Sequence, residues 1–392
     1  MKRQLLGVAA ILLSISTYAQ DNPLWMRYCA ISPDGTTIAF TYKGDIYTVP
    51  STGGRASQIT TNPAHDTKPI WSPDGKKIAF ASDRMGSMDI FEVNKEGGIP
   101  KRLTTHSGNE TPVAYKDAGH ILFLANIMPT AEDAQFPSGQ FQQVYEVNTE
   151  GGRPILFSSM PMEDISINHT GNTLLYHDKK GYEDPWRKHH TSSITRDIWL
   201  CSLNGNRTFR KQTAFNGEDR TPVWASDDKS FYYLSEEKGS FNIFKRDIDG
   251  NTSKQITNHT KHPVRFLSAA SNGTLCYGYD GEIYTVKEGA IPQKVQISIV
   301  TDKNDKDLIR QIKRSGATEI SLSPDAKEIA FVLRGDVYVT STEYSTTKQI
   351  TNTPQQERDI HFSPDGRSIV YAAERNGLWQ IYQTSLCLLY TS

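Results

Sequence analysis

Trp186, Arg187, Lys188, His189, His190 and Arg196 crowd an indole and five basic or titratable side chains into one excursion, residues 179–200, of a chain of 392 residues. Arginine and lysine at that density can hold a carboxylate through charge-assisted hydrogen bonds. The candidate peptide-binding residues are therefore Arg187, Lys188, His189, His190 and Arg196, with Arg187 and Lys188 as the anchor for a peptide carboxylate. A long hairpin whose basic residues pair with Glu183, Asp184 and Asp197 is the alternative reading of the same stretch. Adjacent histidines in an extended segment point to opposite faces, so His189 and His190 make a poor metal pair. A second excursion, residues 125–143, is rich in Pro and Gln, carries Phe136 and Phe141, and reads as a rim loop within reach of a peptide.

Beyond these stretches the sequence offers no catalytic, cofactor-binding or metal-binding residues. It has no G-x-S-x-G elbow, no H-E-x-x-H, no C-x-x-C and no phosphate loop, and no serine, Ser315 included, has a His and an acid in a recognisable pattern. Asp247 to Asn251 looks like the start of a calcium loop, yet it falls where hairpin turns fall in other parts of the chain, so a turn is expected. A net charge of −1 supplies no field to gather nucleic acid or an anionic membrane.

The elements that must position the two excursions announce themselves by repetition. Residues 71–108 read strand, turn, strand, turn, strand, turn, strand, with Ser72-Pro73-Asp74-Gly75 as the first turn. Ile78 to Ala81 is apolar at both alternations, so both faces of that strand must be covered. Lys101 to Thr104 is a more polar fourth strand, suited to an outer edge. Related segments carry the turn's second position at Pro33, Pro73, Lys116, His169, Ser226, Ser271, Pro324 and Pro364, in steps of 40 to 57 residues. Four strands per unit at such a period specify an all-β chain built as a β-propeller, because a single unit cannot bury two apolar faces alone.

The spacing predicts a six-bladed propeller over residues 20–300. A dense run of mixed charges at 301–316 then reads as a linker, and residues 317–386 as the start of a second propeller. One eight-bladed ring with a long loop is the competing architecture. Residues 1–19 read as a signal peptide: Lys2 and Arg3, a short apolar core, then Thr17-Tyr18-Ala19. Export to a periplasm or to the outside is expected, with no membrane span in the mature chain. Residues 387–392, CLLYTS, break the repeat within a unit and read as the translated end of a sequencing adapter, with the natural chain continuing past Leu386. Cys29, Cys201 and Cys276 fall inside strands and read as buried free thiols. Only Cys29 and Cys276 become neighbours, and only if the first and sixth units meet.

The SPDG-x-x-IAF units resemble the propeller repeats of the translocation protein TolB and of exported peptidases. Six units, a charged break, a fresh SPDG unit and the WRKHHTSSITRDIW insertion together look like the N-terminal half of tricorn-type serine peptidases. That resemblance implies two propellers that filter and channel peptides, followed by PDZ-like and peptidase domains that would be this region's partners in a homo-oligomer. It implies no cofactor, and it implies that this stretch is catalytically silent. Two other readings stay open: a propeller capping a prolyl-oligopeptidase-class hydrolase, and a non-enzymatic TolB-like binding module of the envelope.

Overall fold

A computed structural model describes residues 23–127, 141–181, 192–300, 313–344 and 346–386. The described residues contain strands, turns and loops but no helix, and so none long and apolar enough to cross a membrane. They form eight antiparallel sheets in chain order, seven of four strands and the last of three. The turn chemistry read from the sequence recurs in atomic detail. Ser72 Oγ donates to Asp74 Oδ1 at 2.7 Å, Lys76 N donates to the same oxygen at 3.1 Å, and Lys77 N donates to Ser72 Oγ at 2.9 Å. These donors hold the Asp74 carboxyl below its usual range. Where the motif has decayed, Asn168 Oδ1 and Asp227 Oδ1 accept the equivalent backbone N–H groups, so the turn survives the loss of SPDG.

Each sheet hides both faces between neighbours. Ile78, Ala79, Phe80 and Ala81 are all buried, as their unbroken apolar run requires. Ile78 and Phe80 pack with Ala39, Ile46 and Phe91 between the first and second sheets, while Ala79 joins Ile121, Phe123 and Tyr145 between the second and third. The fourth strand of the second sheet is only Lys101–Arg102. Leu103 and Thr104 leave the edge and turn inward, where Thr104 Oγ1 accepts from Ile90 N at 2.9 Å.

That threonine recurs at the junctions between sheets. Thr60, Thr213, Thr257 and Thr351 take the same bond from Ile46, Ile198, Ile243 and Val337. Carboxyls from adjacent sheets converge beside these hydroxyls: Asp45 with Asp66, Glu110 with Asp89, and Asp219 with Asp197. Burial, reinforced by the neighbouring carboxylate, pushes Asp45, Glu110 and Asp219 each up to about 7.

The first sheet meets the sixth. Met26 N donates to Gly281 O at 3.0 Å, Ser271 N to Pro33 O at 2.9 Å, and Ile31 N to Ser268 Oγ at 3.0 Å. Ile297–Ser298, downstream of the sixth sheet, pairs in parallel with Gly54–Arg55 of the first unit. Cys29 and Cys276 both enter the apolar cluster at this seam, which is the juxtaposition the sequence made conditional on these two units meeting. Gly53, at φ +92°, sits where an added Cβ would lie 2.6 Å from Gln296 O. Gly53→Ala is thus expected to destabilise the chain by about 1–3 kcal/mol, read as a lower urea midpoint at unchanged m-value. The seventh and eighth sheets share their own core around Val337, Ile360, Ile369 and Tyr371, yet Ile320, Leu322 and Ile381 remain exposed.

Candidate functional site in the central channel

In each of the first six sheets the first strand carries a bulge, where the register to the second strand shifts. Tyr28, Lys68, Asp164, Thr221 and Phe266 sit at these bulges with φ between 49° and 57°, a region that side chains other than glycine seldom adopt. Thr111 holds the corresponding place in the third sheet, whose shifts fall further along. All six residues lie five positions before the second residue of their unit's turn. All six line one cavity of about 540 Å3, enclosed by the first strands of the first six sheets. That volume falls within the range of small-ligand and peptide pockets.

The channel wall is chemically divided. On the side of the fourth and fifth sheets, Glu163 accepts from Lys179 Nζ at 2.7 Å and lies 3.3 Å from His177 Nε2 and 3.6 Å from Arg196 Nε. Burial alone would raise the Glu163 carboxyl, but contacts from His177 and Lys179 overcome it and hold the group far below the usual carboxylate range. Thr221 N donates to His177 Nδ1 at 3.3 Å, which leaves Nε2 to carry the proton toward Glu163. Behind them Arg196 Nη1 lies 2.9 Å from Glu218 Oε1, with Arg220 Nη1 3.5 Å from the same oxygen and the Arg220 guanidinium 4.0 Å above the Phe241 ring. Asp164 Oδ2 accepts from Thr221 Oγ1 at 2.6 Å.

On the side of the first, second and sixth sheets the wall is aromatic around one ammonium. Tyr28 and Phe266 stand 4.8 Å apart, and Lys68 Nζ lies 5.7 Å from the Tyr28 ring centre. Among the described residues Lys68 Nζ has no ion-pair partner, and burial lowers its pKa. The arrangement offers one ammonium to an entering anion, with Asp164 and Glu163 of the opposite wall acting on that charge.

Residues 23–290 match the family described as the tricorn protease N-terminal beta propeller domain. The chain belongs to that family. It is 24% identical over 365 residues to tricorn protease homolog 1 of Streptomyces coelicolor, covering 91% of this chain and 32% of that one. It is 27% identical over 295 residues to the tricorn protease homolog of Saccharolobus solfataricus, covering 72% and 26%. The crystal structure of the tricorn protease superposes with a TM-score of 0.59 at 18% identity, over 89% of this chain and 33% of that one. The chain thus spans about a third or less of the length of these tricorn relatives.

Of the candidate peptide-binding residues of this tricorn-family propeller, Arg187, Lys188, His189 and His190 lie outside the described residues. Arg196 is described: it is buried in the channel wall and engaged by Glu218. Asp197, named in the hairpin alternative, pairs with Lys180 of the same excursion and with Lys211 beyond it. Most of the other excursion, 128–140, is also outside the described residues, but Gln142 at its end lines the channel, as do Lys179 and Arg196 at the ends of the basic one. Both excursions therefore spring from the channel wall. Asp247 O accepts from Gly250 N at 3.1 Å, the hairpin turn expected there. His262, Asp280 and Glu374 bring ligand atoms within 4.8 Å of one another where the eighth sheet meets the sixth, beside a bond from Lys261 Nζ to Gly377 O.

The residues that sequence reading passed over are Tyr28, Lys68, Asp164, Thr221 and Phe266 at bulges and Thr111 at the matching place. Their signal was available, a fixed offset of five from the turn marker, but residue type gave no hint: Tyr, Lys, Thr and Phe are not residues one assigns to a left-handed backbone.

Proposed function

We propose that this chain is the substrate-handling region of an exported tricorn-like serine peptidase, and that peptides are held and passed along the channel of its first propeller. In this reading residues 1–19 are a signal peptide and the mature protein is periplasmic or secreted. Residues 20–300 are a six-bladed propeller, 301–316 a linker and 317–386 the opening blades of a second propeller, with peptide-bond cleavage assigned to a peptidase domain of the full-length protein. The seam between the first and sixth sheets supports six blades. The exposed Ile320, Leu322 and Ile381 support further blades beside the last two, since such sheets bury their faces against copies of themselves.

The observation that carries the peptide reading is the Lys68 ammonium beside the Tyr28 ring, without an ion-pair partner among the described residues, in a channel that both excursions adjoin. A peptide carboxylate satisfies that charge, with Arg187 and Lys188 supplying a second anchor from the basic excursion. In the full-length enzyme, Lys68→Gln and the Arg187→Ala/Lys188→Ala pair are each expected to raise KM for peptides with a free carboxylate by about 1–3 kcal/mol, with amidated peptides unaffected. Unchanged KM in properly folded variants would refute the anchoring role.

A further inference from the structure

Cys29 and Cys276 are 247 residues apart in the chain and share the apolar cluster at the seam with Met26, Ile31, Ile38 and Ile297. Their approach is fixed by backbone. Ile31 N bonds Ser268 Oγ across the seam at 3.0 Å, and Ser268 stands opposite Cys276 in the strand register. Residues directly opposite in an antiparallel pair project from the same face, so Cys276 is turned toward the first sheet together with Ser268. Cys29 Sγ in turn lies 3.5 Å from Phe266 O on the sixth sheet. The two thiols thus lie in one buried cluster, each on a strand facing the other's sheet, and neither is bonded to another sulfur. Cys201, by contrast, is buried in the separate core between the third and fourth sheets.

We propose that Cys29 and Cys276 are a disulfide-forming pair that fastens the first sheet to the sixth across the seam. The co-reactant is a disulfide of the thiol-exchange class, carried by an oxidoreductase or, in the test tube, by glutathione disulfide. One cysteine thiolate attacks that disulfide and releases one glutathione thiol; the second cysteine thiolate attacks the mixed disulfide and releases the other. One S–S bond forms and one breaks, two electrons pass from the cysteines to glutathione, and the two cysteine protons end on the glutathione thiols. Burial pushes the Cys276 thiol up, so the exchange belongs to the chain before the seam shuts rather than to the folded protein. Once formed, the cross-link removes the separation of the first and sixth sheets from the unfolded ensemble.

The test refolds the full chain, unfolded and reduced, in a mixture of reduced and oxidised glutathione, blocks remaining thiols and maps proteolytic fragments by mass spectrometry. The expected result is a cross-linked species containing Cys29 and Cys276 in most of the folded protein, with Cys201 recovered in blocked form. The oxidised protein should melt several degrees higher than the same protein refolded under reductant, and that difference should vanish in Cys29→Ser and in Cys276→Ser. Should either variant fail to fold, the fragment map of the unaltered chain decides alone. Recovery of both cysteines as blocked thiols, or linkage spread indifferently among Cys29, Cys201 and Cys387, overturns the proposal.

Discussion

Replacing Arg196 with alanine is expected to cost about 3–5 kcal/mol of folding stability, because removing one partner of a buried ion pair strands the other. Glu218 is the partner that loses its nearest cation: it is 0% exposed and its Oε1 lies 2.9 Å from Arg196 Nη1. Arg220, at 3.5 Å from the same oxygen, remains as a more distant cation and offsets part of the loss. Glu163 also loses a neighbour at 3.6 Å, although Lys179 and His177 continue to hold it. Urea denaturation of the purified chain at neutral pH measures the loss. Arg196→Lys should recover only part of it, since an ammonium cannot present the guanidinium's fork. If Arg196→Ala instead keeps its midpoint while peptide affinity falls, Arg196 acts on ligand and not on the channel wall.

Stability is also expected to fall as pH rises from 5 to 8, by a few kcal/mol in total. Asp45, Glu110 and Asp219 each face a second carboxyl from the adjoining sheet, and burial pushes each up to about 7. A carboxyl raised in the folded state stabilises that state fully below its unfolded value near 4, and the contribution fades as pH rises through the folded value. Unpaired oxygens on Glu110 and Asp219 agree with protonated groups at low pH. The same interfaces hold opposing charges: Arg102 lies 2.7 Å from Asp89, and Lys211 2.8 Å from Asp197. The check is a series of melting curves between pH 5 and 8. Glu110→Gln should flatten the profile, and an unaltered slope in that variant would assign the pH dependence elsewhere.

The blade pattern was legible because its determinants are local. A Ser-Pro-Asp-Gly turn closes on its own side chains, and an unbroken apolar run such as Ile78 to Ala81 states that both faces are covered. Even a long-range contact, Cys29 with Cys276, was readable once the units were counted. The channel was not. Arg187 and its neighbours stand out because basic residues in an insertion look like chemistry, whereas Lys68 lies in an ordinary strand beside a proline. What aims Lys68 into the channel is a one-residue shift between strands, and such a shift arises from pairing across the sheet, which no single segment reveals.

The bulges have a further consequence for how this protein can change. At the bulges the main chain does the aiming, and most of the packing of the sheets is carried by other positions, so a side chain at 28, 68, 111, 164 or 221 can be exchanged without rebuilding a core, whereas Phe266 also packs against the core at the seam. The protein therefore holds a circle of sockets around one cavity. Selection, or a designer, can rewrite that circle one socket at a time.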